Sequence, residues 1–187
     1  MGKKFELQRI AKEIEKCKIC RQGKTGKAVP GEGNPDAGLV FIGEAPGRNE
    51  AEAGKPFIGR AGKLLRSIIK DIGIDEKNVF ITNPVKYLPL KGTPSTADVQ
   101  HGKTHLEKQL RIINPKIIVL LGRVATLANF DEPISVKKEH GKTIEKNGIT
   151  YLITYHPSAA LRFPPLKKVL AEDLEKLKKL AEIAKNT

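Results

Sequence analysis

The chain has no tryptophan, a single methionine and only two cysteines, Cys17 and Cys20, in 187 residues. Two cysteines cannot staple a disulfide-rich scaffold, so a chain of this length must rest on a hydrophobic core. Long apolar runs are missing too. The longest, Ile117 to Leu121, falls far short of the roughly 18 residues that a membrane-spanning helix needs. The opening MGKKFELQRIAKEIEK holds no apolar stretch of the kind a secretion signal requires, so a cytoplasmic protein is expected, with no membrane partner. Repeats and low-complexity linkers are absent, and one domain over residues 1–187 is expected.

Acidic residues are in deficit. Asp and Glu number 21 against 34 Lys and Arg, a formal charge of +13 that favours an anionic partner, nucleic acid before others. With 39% hydrophobic and 29% charged residues, the chain has the balance of a globular protein. Glutamine is scarce while Lys and Glu abound, which resembles thermophile composition.

Four apolar runs stand out: Leu39–Gly43, Val79–Asn83, Lys116–Gly122 and Thr150–Tyr155. They are continuous and rich in β-branched residues, as strands covered on both faces are. Between and around them lie amphipathic stretches over Phe5–Glu15, Ala61–Ile72, Thr96–Ile113 and Leu166–Ala184, each with apolar residues at helical spacing. Strands alternating with helices predict a three-layer α/β/α sandwich around a largely parallel, four-stranded sheet. The four runs lead into Glu44, Asn83, Gly122 and His156. Ligands of parallel α/β sheets bind outside the carboxyl ends of strands, so a carboxylate, an amide and an imidazole are expected on one rim.

Gly43-Glu-Ala-Pro-Gly-Arg-Asn-Glu50 follows the first strand, a glycine- and proline-shaped loop with two carboxylates, Glu44 and Glu50. Phe57 lies in a second glycine-flanked loop, either plugging the core or presenting a ring for a base to stack on. His156-Pro157-Ser158 ends the last strand, whereas His101, His105 and His140 have no such placement and read as surface residues. Three Gly-Lys-Thr triplets begin at Gly23, Gly102 and Gly141. A phosphate-binding P-loop needs a further glycine five positions earlier, where Lys18, Ala97 and Val136 stand, so that reading fails. Cys17-Lys-Ile-Cys20 is half of a metal or cluster site, a redox pair, or a remnant of either; with no second such pair, a four-cysteine site within the chain is excluded.

Taken together, Gly31-Glu-Gly-Asn-Pro-Asp-Ala37, Gly43-Glu-Ala-Pro-Gly47, Gly54-Lys-Pro-Phe-Ile-Gly-Arg-Ala-Gly62, Thr82-Asn83-x-Val85-Lys86, Pro115–Gly122 and His156-Pro-Ser-Ala-Ala-Leu-Arg162 resemble the blocks of the family 4 uracil-DNA glycosylases, in order. The resemblance implies hydrolysis of the N-glycosidic bond of deoxyuridine in DNA, releasing free uracil in base excision repair. It implies that Phe57 stacks on uracil within a pocket also formed by Gly43, Ala45 and Gly47. Asn83 would read the pairing edge, and His156 would stabilise charge on O2. Glu44 would position water or support the cationic sugar, and Glu50 would lie near C5 and exclude a thymine methyl. Ala45 stands where the best-known glycosylase family carries an aspartate. Ser158, Lys86, Leu161 and Arg162 would contact DNA, Leu161 or Arg162 filling the gap left by the flipped base. Other readings are a non-catalytic nucleic-acid-binding member, a glycosylase for another deaminated base, and a phosphate-binding hydrolase.

The family binds a [4Fe-4S] cluster through four cysteines. Cys17 and Cys20 match the first pair, but the third position falls on Tyr87 and the fourth on His101 or Gly102. No cofactor is therefore expected, Cys17 and Cys20 being the only metal candidates. The Tyr87–His101 loop must then be held by packing, a disulfide or another metal. A monomer acting on nucleoid DNA is expected.

Overall fold

The structure, a computed structural model, describes residues 2–130 and 134–185, with side chains through residue 180. In chain order it runs through α1 (Lys3–Lys16), α2 (Lys18–Arg21), β1 (Lys24–Thr25), β2 (Glu32–Gly33), β3 (Leu39–Ile42), α3 (Arg48–Ala53), α4 (Arg60–Asp71), β4 (Val79–Thr82) and β5 (Leu88–Pro89). It continues with α5 (Thr96–Ile113), β6 (Ile117–Leu121), α6 (Arg123–Asn129), α7 (Val136–Glu139), β7 (Thr143–Lys146), β8 (Ile149–Thr154), α8 (Pro157–Arg162) and α9 (Pro165–Lys185).

The four continuous apolar runs form the parallel centre of the sheet, in the order β4-β3-β6-β8. Every residue of β3, β4 and β6 is buried, which explains why those runs do not alternate. Two antiparallel edge strands extend the expected four to six: β2 beside β4, and β7 beside β8. The β7–β8 hairpin turns at Asn147-Gly148, both with positive φ, as a two-residue hairpin turn requires. A separate two-stranded sheet pairs β1 with β5.

Each face of the sheet has its own core. Phe41, Ile81, Val119 and Leu152 point to one side and pack with Leu65 and Ile69 of α4 and Leu170, Leu174 and Leu177 of α9. Val40, Phe80, Ile118 and Ile153 point to the other and pack with Leu106 and Ile113 of α5 and Val124 and Ala125 of α6. Full burial of such side chains stabilises by about 1.5–3 kcal/mol each. Helix α5 is closed at both ends: Ser95 and Asp98 form a reciprocal capping box, and Asn114 ends it in the left-handed conformation.

Lys86 corrects an expectation. Placed among the DNA contacts by the sequence, it is 1% exposed and sits inside the protein. Its Nζ donates to Thr82 Oγ1 at 2.8 Å, Gln109 Oε1 at 2.7 Å and the Pro30 carbonyl at 3.1 Å. Burial pulls its ammonium down to about 7. The group joins β4, α5 and the segment before β2, and no phosphate reaches it. Lys86→Ala removes these three buried hydrogen bonds and leaves a cavity, and is expected to cost about 2–4 kcal/mol in urea unfolding.

Candidate functional site

Residues from three loops and a helix cap meet in one cleft of about 480 Å³ at the carboxyl ends of the parallel strands. Glu44, Ala45, Gly47 and Glu50 line it from the loop after β3, Phe57 from the next loop, Asn83 from the end of β4, and His156 and Ser158 from the start of α8. The sheet order changes direction at β3 and β6, the switch point where such clefts open.

Phe57 is a core residue. It is buried within the core cluster around Phe41 and also lines the cleft. Its backbone has φ 53°, strained for a non-glycine residue, so the surroundings must hold it. Arg66 Nε donates to the Phe57 carbonyl at 3.0 Å, while the same guanidinium pairs with Glu32 and Glu76. Gly62 lets α4 start directly beneath: a Cβ there would lie 1.9 Å from the Phe57 carbonyl oxygen. Gly43 does not line the cleft but sets its floor, because a Cβ there would meet Asn83 Oδ1 and Phe57 Cζ at 2.5 Å each.

Glu50, though acidic, is buried. Its Oε1 accepts the backbone N–H groups of Ile58 at 2.9 Å and Gly59 at 2.7 Å. One oxygen of this carboxylate is thus committed to the loop that carries Phe57. Glu44 is half-buried, and burial raises its carboxyl above the ordinary range, with Arg123 opposing the shift.

Asn83 is 2% exposed, and its Oδ1 is buried without a hydrogen-bond partner. An unpaired buried acceptor costs stability unless a ligand satisfies it. His156 caps α8, with Pro157 at the first helical position. Its Nδ1 accepts the Ser158 backbone N–H at 3.2 Å and lies 2.7 Å from Ser158 Oγ. An N–H can only donate, so the proton of the neutral ring sits on Nε2. Burial lowers the imidazole to about 4, with the Glu50 carboxylate pulling the other way, so the ring is neutral near pH 7. The rings of His156 and Phe57 lie 5.9 Å apart at 37°.

Ser158 is exposed beside this cleft. Leu161 and Arg162 follow on α8 but do not line it. The large apolar residues most exposed nearby are Leu90, in a loop whose Leu88 and Gly92 line the cleft, and Phe163, just beyond α8. The resemblance implies that the segments holding them, Pro89–Ser95 and Leu161–Pro165, grip the DNA backbone.

A second cluster overturns the surface reading of two histidines. Ligand atoms of Cys17, Cys20, His101 and His105 all lie within 4.8 Å of one another. Cys17 Sγ is 3.1 Å from His101 Nε2, and the two imidazoles meet edge-on at 5.6 Å. His105 is 7% exposed, with neither ring nitrogen hydrogen-bonded. His140 is half-buried, against Asp173 at 3.1 Å. The missed signal was positional: His101 and His105 stand four apart on α5 and so share a face. Tyr87, at the third cysteine position of the resembled family, turns its hydroxyl to the Ile14 and Glu15 carbonyls at 3.3 Å each. A [4Fe-4S] cluster asks for four thiolates, and the residues present supply two and do not fit it.

Fold and cleft together define an α/β protein that can receive a flat ring against Phe57 and hold its polar edge with an amide and an imidazole. A family model described as the uracil DNA glycosylase superfamily matches residues 30–178. The chain is 43% identical over 187 residues to the type-4 uracil-DNA glycosylase of Sulfurisphaera tokodaii, covering 94% of this chain and 84% of the relative. It is 45% identical over 183 residues to that of Saccharolobus solfataricus (92% and 85% covered). It is 39% identical over 181 residues to that of Thermotoga maritima (92% and 94% covered). The chain belongs to the uracil-DNA glycosylase superfamily, in its type-4 family. Among the described residues no helix is long and apolar enough to cross a membrane.

Proposed function

We propose that the protein is a monofunctional glycosylase that hydrolyses deoxyuridine in DNA to free uracil and an abasic site. The observation that carries this is the buried, unpartnered Asn83 Oδ1 at the floor of the cleft. Uracil N3–H supplies a donor to that acceptor while the amide N–H meets O4. The type-4 relatives carry the same activity in their names.

The chemistry starts with the nucleotide leaving the helix, since its glycosidic bond is out of reach in the stack. Uracil then stacks on Phe57 with its pairing edge at Asn83. The C1′–N1 bond breaks, and its electron pair moves into the uracil ring, where charge grows on O2. His156 stabilises that charge by donating its Nε2–H. The ring is already neutral and held in this tautomer by Ser158, so little reorganisation is needed. Water adds to C1′ of the oxocarbenium-like sugar. Glu44 orients that water and accepts its proton, a role suited to a carboxyl raised by burial. Glu50 is a positioning residue: through the Ile58 and Gly59 N–H groups it fixes the loop that aims Phe57.

Helix α8 presents Ser158, Leu161 and Arg162 to the DNA strand beside the cleft, and the +13 charge supplies phosphate affinity. One family model spans residues 30–178, which supports a single domain, and action as a monomer is part of the same proposal. The prokaryotic relatives support a place in the cytoplasm, at the nucleoid.

The test is an oligonucleotide with one deoxyuridine, treated with alkali after incubation. Cleavage at uracil and not at thymine is the expected result. An intact strand across temperature and salt would leave a nucleic-acid-binding member of the fold.

A further inference from the structure

Cys17, Cys20, His101 and His105 are brought together from two distant parts of the chain and play no part in the cleft. Cys17 caps the four-residue helix α2, and its Sγ receives the Cys20 N–H at 3.4 Å. That turn places both thiols on one side. Helix α5 supplies the facing side, with the two imidazoles one turn apart on one face. Two cysteines separated by two residues and two histidines separated by three is a ligand spacing found in structural zinc sites. Here the pairs are joined by a long excursion through β1 to β5, which hides the pattern from a search for a short finger.

We propose that these four residues bind one tetrahedral zinc ion, at the place where the resembled family holds its iron–sulfur cluster. Three observations carry this. The first is distance. Bonds of about 2.3 Å to sulfur and 2.0–2.1 Å to nitrogen set tetrahedral ligand atoms about 3.5 Å apart. The four atoms here already lie within 4.8 Å of one another, and the closest pair within 3.1 Å. Thiolates around a four-iron cube must stand further apart, on its separate corners.

The second is hydrogen bonding. His105 is buried with both ring nitrogens unpartnered, although a neutral imidazole offers one donor and one acceptor. A metal bond to one nitrogen gives that buried group a purpose.

The third is donor chemistry. Two thiolates and two neutral imidazoles suit zinc, and the complex with a divalent ion is neutral, so no net charge is left in the interior. On binding, two thiol S–H bonds give way to two S–Zn bonds and two protons leave; no electron is transferred. The ion ties α2 to α5 beside Tyr87. It thereby anchors the segment from β5 to Ser95, including Leu88 and Gly92 at the cleft.

The full-length protein, purified without chelator, should contain one zinc per chain by elemental analysis and neither iron nor acid-labile sulfide in matching amounts. After exchange into cobalt(II), it should show the intense visible bands of a tetrahedral site and a thiolate-to-cobalt band in the near ultraviolet. His101→Ala, at the half-buried ligand, should weaken both bands. His105→Ala should abolish them, and the cobalt spectrum of the unaltered protein stands even if that variant fails to fold. Removal of the ion should lower Tm by about 10 °C. Iron with equimolar sulfide would overturn the proposal. So would a Cys17–Cys20 disulfide in the purified protein, a weak octahedral cobalt spectrum, or failure to retain zinc on dialysis.

Discussion

His156→Ala is expected to slow single-turnover release of uracil by about 10²–10³-fold, the usual cost of removing one donor from a developing oxyanion. The loss should fall on the chemical step and leave the affinity for uracil-containing DNA nearly unchanged, because the Nε2–H bond strengthens only as charge reaches O2. The structure also sets the pH behaviour. The ring is lowered by burial to about 4, so wild-type activity should show no His156 inflection near its ordinary 6.5 and an acid limb only toward pH 4. Stability follows with a definite sign. The unfolded chain binds the extra proton between about pH 6.5 and 4 while the folded one does not, so this group weakens the fold as pH falls through that window. Chemical denaturation at pH 7 and pH 5 should show that weakening in the wild type and a smaller one in His156→Ala. An inflection in rate near 6.5 that disappears in the variant would mean that the ring works as a titrating acid, and the neutral-donor mechanism would fall.

The central strands and the rim were legible in the sequence for one physical reason. Strands buried on both faces carry unbroken apolar runs, and β3, β4 and β6 are buried at every residue. Glu44, Asn83 and His156 could then be placed by where those runs end. The edges were not legible. Strand β2 has two residues, and β7 alternates between exposed and half-buried positions, so neither yields an apolar run, although Asn147-Gly148 is a hairpin signal. Short helices such as α3 and α6 fall below the length at which periodicity is readable.

Side chains that act against their type were the harder cases. Lys86 reads as a surface cation and is buried because Thr82, Gln109 and the Pro30 carbonyl surround it. Glu50 reads as a carboxylate lining the ligand, and one of its oxygens also anchors two backbone N–H groups. His101 and His105 read as surface residues because their cysteine partners lie some eighty positions away. In each case the partner is set by tertiary contact, which a linear pattern does not encode.

Asn83→Leu should separate function from folding in one protein. The two side chains share a forked outline of four heavy atoms, but leucine offers nothing to uracil N3–H and O4. A site built to pair with polar edges rejects an unpaired counterpart strongly, so kcat/KM on deoxyuridine should fall by about 10³–10⁵-fold. Stability should move the other way. The wild-type protein keeps Oδ1 buried without a partner, and replacing an orphaned polar atom by carbon of similar shape removes a desolvation penalty. A gain of up to about 1 kcal/mol in urea unfolding is expected, with the neighbouring Phe57 and Gly43 in place. Free uracil should stabilise the wild type and leave the variant unchanged, since the added stability requires a ligand that binds the folded state. A variant that unfolds more easily than the wild type and still excises uracil would show Asn83 to be a structural residue. The reading of the cleft as a uracil pocket would then have to be rebuilt on Phe57 and His156 alone.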